Sequence, residues 1–383
     1  MIYIKYREGD ILKTRIGIIF GGNSVEHEIS ILSSIQVNYA IDASKYDVYN
    51  IYMTKDGRFW VGEELADLET FKKDHFKHYE VTFYSKKSRG YLKGVKRLPM
   101  KYKKSIDVIL PIVHGKNTED GSLAGYFNIL NIPYAASGVL VSSIIQNKRI
   151  TKMMLKDLGI NIIEYSSITY SEYKNGEEKA LEKFKDLGFP VIVKPVSLGS
   201  SVGIKIAENE DELIEAVNYG FKYEDELLVE KKLIKYKEYN QAVLEIEDEY
   251  FPSEIEEVIN FNPYLTFSDK YLPSKTKKEI PAQITKELKE LITRISLSTA
   301  NYFKTSGVIR IDYLYDETNN VLYLNEINAI PGSLSYYLFE TILPFPVLID
   351  NLIKIAIKNH YKNSLKLNSF KSNVLATSRI LKK

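Results

Sequence analysis

Two short stretches, Arg310-Ile311-Asp312 and Glu326-Ile327-Asn328, bring together the residue types that hold a divalent cation beside phosphate. Each lies in an apolar, strand-like run, residues 308–314 and 321–327, and Asn319-Asn320 between them predicts a hairpin turn. Residues i and i+2 of a strand point to one face, so Arg310 goes with Asp312 and Glu326 with Asn328. If the strands pair, three oxygen donors converge beside one guanidinium. Hard oxygen ligands of this kind suit Mg²⁺ held jointly by protein and substrate phosphates. Either pair alone reads more simply as a solvated strand face with a salt bridge. The two together, followed by Pro331-Gly332, read as a metal–phosphate site.

A second stretch, Ser197-Leu198-Gly199-Ser200-Ser201-Val202-Gly203, follows an apolar run that ends in Lys194. Small residues free backbone N–H groups to surround phosphate oxygens, and a lysine beside them adds a point charge. No Gly-Lys-Ser/Thr follows, so this is not a Walker A loop. The His-Arg-Asp and Asp-Phe-Gly motifs of a protein kinase do not occur, and Gly21-Gly22-Asn23-Ser24 does not make the Gly-x-Gly-x-x-Gly of a nicotinamide dehydrogenase. His75, His78 and His360 lie in charged segments and read as surface residues. His27 and His114 follow apparent strand ends, where α/β sheets place ligands. No histidine pair has zinc spacing.

These residues need a scaffold of alternating strands and helices. An apolar run at 16–20 ended by two glycines, then a helical pattern at 30–40, is the opening of a βαβ unit. The stretch 63–104 is charged and tyrosine-rich, which predicts loops and a hairpin. Residues 106–113 fit a buried parallel strand, 121–130 a helix and 132–134 a short strand. The first 136 residues are thus expected to form an open parallel-sheet α/β domain. One helix is predicted over 142–158, strands at 162–168, 191–194 and 227–230, helices at 210–217 and 287–301, and α+β structure onward from 241. We divide the chain at 1–136, 137–230, 231–360 and a basic tail, 361–383.

Composition sets the outer limits. The 383 residues, 44% of them hydrophobic, can build several cores. The 52 basic and 50 acidic residues nearly cancel, which argues against a nucleic-acid binder with a strongly basic surface. There is no cysteine, so disulfides, thiolate nucleophiles and thiolate metal sites are excluded. The charged N-terminus lacks the apolar segment of a secretory signal, and no apolar run approaches the roughly 20 residues of a membrane span. A soluble cytoplasmic protein is expected, with no nucleic-acid or membrane partner. Beyond Asp350 there is no acidic residue, which reads as a helix with a solvated basic end.

The pieces occur in the order found in the D-alanine–D-alanine ligase family, which has the ATP-grasp fold. Residues 21–30 (Gly21-Gly22-Asn23-Ser24-Val25-Glu26-His27-Glu28-Ile29-Ser30) resemble its first signature, and His114-Gly115 with Glu119-Asp120-Gly121 its second. Pro133-Tyr134, Ser137-Gly138-Val139, Lys148, Lys152, Lys194 with the 199–203 loop, Glu230, and the Arg310 to Gly332 set follow in sequence. The resemblance implies two Mg²⁺, replaceable by Mn²⁺, on Asp312, Glu326 and Asn328. It implies ATP bound by Lys148, Lys194, Gly199, Ser201, Glu230, Lys231, Leu233, Glu238 and Lys270. It implies Glu26 at the ammonium of the first amino acid, closed over by Ser200 and Tyr271, with His114 near that substrate's carboxylate. Arg310 and the Gly332 N–H would hold an oxyanion, and Ser333, Tyr337 and Leu338 would shape the second subsite.

By the same resemblance the activity would join two D-alanines through a D-alanyl phosphate, for peptidoglycan precursors, with amino acids as partners and a homodimer left open. Departures from the pattern bear on the acceptor. Ala124, Gln146-Asn147 and Ser268-Asp269 differ from the usual residues, and Tyr337 stands where the family has a serine that contacts the second carboxylate. A Tyr337 ring pointing inward would keep the pocket alanine-sized; one pointing away would leave Ser333 or Ser335 to substitute. A related ligase with another D-amino acid or D-hydroxy acid acceptor is the alternative. A non-catalytic nucleotide binder is a third reading, opposed by the complete Arg310, Asp312, Glu326, Asn328 set.

Overall fold

A computed structural model describes residues 6–7, 10–11, 13–73, 78–259 and 277–367. Strand β1 (Thr14–Gly21), helix α1 (His27–Ala40) and strand β2 (Tyr46–Met53) form the opening βαβ unit. Ile16, Ile18, Ile19 and Phe20 are fully buried because both faces of β1 are covered, which explains the unbroken apolar run. Gly21 leaves the strand at φ +96, and a Cβ there would lie 2.3 Å from the Met53 carbonyl oxygen. The buried Ser30 hydroxyl of α1 accepts the Gly21 N–H at 2.7 Å and donates to the Ile112 carbonyl. It thereby fixes the first turn of α1, and Glu26 just before it, against two strand ends.

The 63–104 region contributes the expected hairpin. Strands β3 (Phe59–Val61), β4 (Tyr79–Lys86) and β5 (Arg89–Gly94) extend the sheet beyond β2, each antiparallel to the strand before it, and β6 (Val108–Pro111) returns beside β1. The sheet order is β5-β4-β3-β2-β1-β6, parallel only where β1 meets β2 and β6. The short strand expected at 132–134 is reduced to one bridge between Ile109 and Tyr134.

Helix α2 (Ser122–Ile129) follows, and then the single helix expected over 142–158 proves to be two, α3 (Val139–Gln146) and α4 (Lys148–Asp157). Asn147 breaks them with extended backbone, and its side chain accepts the Ile150 N–H at 3.0 Å as the cap of α4. Ile145 and Leu155 of this pair enter the core of the C-terminal sheet.

The central sheet consists of β7 (Tyr165–Thr169), β8 (Val191–Pro195), β9 (Lys205–Ala207) and, after helix α5 (Glu210–Gly220), β10 (Glu226–Lys231). Its order is β9-β8-β10-β7, all antiparallel. The C-terminal sheet has β11 (Tyr236–Ile246), β12 (Glu249–Ile259), β13 (Lys277–Glu279), helix α6 (Lys286–Phe303), β14 (Val308–Asp316) and β15 (Val321–Asn328). Its order is β13-β12-β11-β14-β15, again antiparallel. Helix α7 (Phe345–Ser364) packs Leu348, Ile349, Leu352 and Ile353 into a core shared with α1, β1, β6 and β11, which joins the first sheet to the third. No helix among the described residues is long and apolar enough to cross a membrane.

Candidate active site

A cleft of about 390 Å³ runs between the central and C-terminal sheets, and a smaller chamber of about 80 Å³ continues it toward the N-terminal sheet. Strands β14 and β15 pair as predicted, with Asp312 opposite Glu326 and Arg310 opposite Asn328. The Arg310 guanidinium grips Asp312 through two bonds, Nε to Oδ1 at 2.7 Å and an η nitrogen to Oδ2 at 2.8 Å. Burial alone would lower the Arg310 pKa, but the Asp312 charge holds it well above the ordinary value. Asn328 Nδ2 donates to Asp312 Oδ2 at 3.1 Å, so its carbonyl oxygen is the atom it can offer a cation. All four residues line the cleft. Among the described residues no three His, Cys, Asp or Glu side chains gather as a self-sufficient cation cage. Two carboxylates and an amide oxygen instead suit a cation completed by phosphate and water.

Facing this hairpin is the loop after β8. Ser200 and Ser201 take left-handed backbone, φ 53 and 59, and Gly199, Ser200 and Ser201 line the cleft. The break between α3 and α4 anchors this loop. Gln146 Nε2 donates to the Ser197 carbonyl, the Lys148 N–H to Val196 O at 2.8 Å, and Lys148 Nζ to Leu198 O at 2.6 Å. Lys148 Nζ also lies 3.9 Å from Glu326, which bridges the loop to the opposite wall.

At the far end of the cleft, Glu230 closes β10. Its carboxylate is 2.9 Å from Lys152 and 2.6 Å from Lys194, and all three residues are buried. Burial pushes the Glu230 carboxyl up, but the two lysines outweigh it and hold it below its usual value. Burial, and then the neighbouring Lys194, pulls the Lys152 ammonium down despite the pull of Glu230. Lys231, Leu233 and Glu238 line the same end.

The smaller chamber belongs to the first two signatures. Ser200 Oγ donates to Glu26 Oε1, which joins two of the three residues expected to meet over the first substrate. The third, Tyr271, and Lys270 lie outside the described residues. His114 is buried and its Nδ1 lies 2.8 Å from the Ile330 carbonyl, which only accepts, so Nδ1 carries the proton. Burial lowers the His114 pKa, and the neutral ring turns an Nε2 lone pair toward Ser33 at 3.5 Å.

Glu119 has no role in the sequence reading beyond its place in a motif. Here it accepts from the Gly115 N–H at 2.6 Å and the Ile330 N–H at 3.3 Å, tying the two loops that flank the chamber. Burial, reinforced by the nearby Glu26 charge, pushes its carboxyl up to about 8.

After Pro331, Ser333, Leu334 and Ser335 are all left-handed, with φ of 51, 53 and 48. Such backbone costs about 1–2 kcal/mol per non-glycine residue. The turn is held by the Ser333 N–H on Ser33 Oγ at 3.0 Å, the Leu334 N–H on Pro331 O at 2.9 Å, and the burial of Leu334. Gly332, Ser333 and Tyr337 line the cleft. The Leu338 side chain is fully buried in the core shared with α7. Ser335 is also fully buried, so it cannot substitute for the missing serine. The Tyr337 hydroxyl donates to Glu256 Oε2 at 3.2 Å. Glu256 and its partner Lys278 escaped the sequence reading because they sit in strands with no motif.

Known proteins are similar to this chain in sequence and in fold. Residues 15–137 match the family model described as D-ala D-ala ligase N-terminus, and residues 154–354 that described as D-ala D-ala ligase C-terminus. A D-alanine–D-alanine ligase of Thermosipho africanus is 38% identical over 94% of this chain and 97% of its own length. One from Geobacillus kaustophilus is 31% identical over 94% and 99%. The solved D-alanine–D-alanine ligase of Coxiella burnetii superposes with a TM-score of 0.77 at 28% identity, covering 92% of this chain and 96% of that one. The VanG D-Ala:D-Ser ligase of Enterococcus faecalis does so at 0.78 and 27%, covering 90% and 100%. With both parts of the family model matched and relatives aligned along nearly the whole chain, this protein belongs to the D-alanine–D-alanine ligase family, ATP-dependent enzymes that join a carboxylate to an amine.

Proposed function

We propose that the chain joins two D-alanines, with ATP cleaved to ADP and phosphate, and acts in the cytoplasm to supply a dipeptide for peptidoglycan precursors. The observation that carries this reading is the opposition of the Arg310–Asp312–Glu326–Asn328 hairpin to the Ser200–Glu26 contact across one cleft. The first D-alanine rests its ammonium on Glu26, with Ser200 holding that carboxylate in place. Its own carboxylate lies toward His114, whose Nε2 takes up a proton when an anion arrives. One carboxylate oxygen attacks the γ-phosphorus of ATP, and ADP leaves. Lys148 and Lys194 offset the charge of two anions brought together, and Glu230, Lys231, Leu233 and Glu238 hold the nucleoside. Asp312, Glu326 and Asn328 would hold Mg²⁺, which supplies charge neutralisation at the phosphates.

The second D-alanine then attacks the acyl carbon with its amine. Arg310 and the Gly332 N–H take the oxyanion, phosphate leaves with the former carboxylate oxygen, and the amine loses a proton. The division at residues 136, 230 and 360 is part of this reading; three separate sheets support the first two boundaries, whereas helix α7 runs through residue 360. Phosphate release against D- and L-amino acids, singly and in pairs, with products read by mass spectrometry, tests it. D-alanine alone is expected to sustain release and yield the dipeptide. Release sustained by some other amino acid and not by D-alanine would overturn it.

A further inference from the structure

The cleft wall beside Arg310 carries charged side chains that the scheme above does not use. Glu256, on β12, is fully buried. A carboxylate stays buried only when it is paired and hydrogen-bonded. Its Oε2 accepts from Asn240 Nδ2 at 2.8 Å and from the Tyr337 hydroxyl at 3.2 Å. Its Oε1 lies 3.1 Å from Lys278 Nζ, and that ammonium also sits 4.9 Å from the centre of the Tyr337 ring. Asn240, Lys278 and Tyr337 all line the cleft together with Arg310 and Ser333. One buried carboxylate thus sets the position of three side chains on the wall of the cleft.

The other lysines whose partners are set out above serve the nucleotide end. Lys148 reaches Leu198 and Glu326, and Lys194 is bound to Glu230. Lys278 instead lines the cleft beside Glu256 and Tyr337, half exposed at 49% of its side chain. Its ammonium has three N–H donors, and its contact with Glu256 Oε1 is an ion pair without hydrogen-bond geometry. An acceptor amino acid carries an anionic carboxylate into the cleft, whose lining places Lys278 together with Arg310, Gly332 and Ser333. Tyr337 cannot donate to it, because its single hydroxyl proton is committed to Glu256.

We propose that Lys278, oriented by Glu256 and the Tyr337 ring, binds the carboxylate of the acceptor amino acid and makes a free carboxylate a requirement at the second subsite. Lys278 is the substrate-binding residue and Glu256 a positioning residue. The inference rests on the ligase reading given above. A purely structural Lys278–Glu256 pair would brace edge strand β13 and leave the choice of acceptor untouched.

The test is a competition between D-alanine and D-alaninamide at equal concentration with saturating ATP, with the free and amidated dipeptides counted by mass spectrometry. The wild-type protein is expected to favour the free acid. K278Q and K278M are expected to lower that product ratio tenfold to a hundredfold, the loss of a charge-assisted hydrogen bond. K278R should restore most of it, and E256Q should lower it in part while the KM for ATP holds. Product ratios in K278Q and K278M within twofold of wild type, with dipeptide still formed, would overturn the Lys278 assignment alone. A wild-type protein that forms neither product would overturn the ligase reading and this inference with it.

Discussion

Replacing Glu119 by glutamine isolates the effect of one buried proton on the stability of the fold. The carboxyl is pushed from 4.5 up to about 8 by burial and by the Glu26 charge, while the Gly115 and Ile330 N–H groups pull the other way. The folded protein therefore holds this proton more tightly than the unfolded chain does. Its contribution to stability is fully present below pH 4.5 and is lost as the pH rises to 8. Each tenfold gain in proton affinity is worth about 1.4 kcal/mol, so the loss between pH 5 and pH 8 is about 3 kcal/mol. The E119Q amide carries no titrating proton and keeps one acceptor oxygen for two N–H groups, so the variant forfeits about 1 kcal/mol at every pH. It should be within about 1 kcal/mol of wild type at pH 5 and more stable than wild type by about 2 kcal/mol or more at pH 8.5. Urea unfolding of the ligand-free protein measures this, followed by far-UV circular dichroism and by the fluorescence of the single tryptophan, Trp60. A wild-type-to-variant difference that stays constant from pH 5 to 8.5 would refute the argument that Glu119 is held protonated.

Three further outcomes follow from the same geometry. Glu326→Gln, opposite Asp312 in the hairpin, should cut turnover by orders of magnitude with an unchanged unfolding midpoint, and near wild-type turnover at ordinary Mg²⁺ would remove Glu326 from the cation site. Leu338→Ala should destabilise by about 2–5 kcal/mol as a core cavity, with the KM for D-alanine nearly unchanged; a stable variant with an altered acceptor profile would place Leu338 at the second subsite. Glu230→Gln strands Lys152 and Lys194 against each other in a buried site, so the unfolding free energy should fall by about 3–5 kcal/mol, and an unshifted denaturation curve would show that the trio is not coupled.

The sequence by itself determined the elements whose signal is local. The continuous apolar run of β1, the glycine turn after it, and the two strands joined at Asn319-Asn320 could be read directly, because burial on both faces and turn chemistry leave short-range marks. Strand periodicity alone put Arg310 with Asp312 and Glu326 with Asn328, and the pairing of the two strands brought both sets onto one surface. The order of motifs named the family. It also flagged Tyr337 as a departure, though not where its ring lies.

Tertiary structure decided the rest, because those outcomes depend on contacts between residues far apart in the chain. The helical pattern over 142–158 contains no proline or glycine within it. Its break at Asn147 shows only once Gln146 and Lys148 are seen bonded to the 196–198 loop, some fifty residues on. Leu338 shares a motif with Tyr337, yet the left-handed turn at Ser333–Ser335 sends one side chain to the core and the other to the cleft. Glu256 and Lys278 occupy strands whose sequence shows no motif. A buried carboxylate there is tolerable only because Asn240, Tyr337 and Lys278 arrive from three other segments to satisfy it.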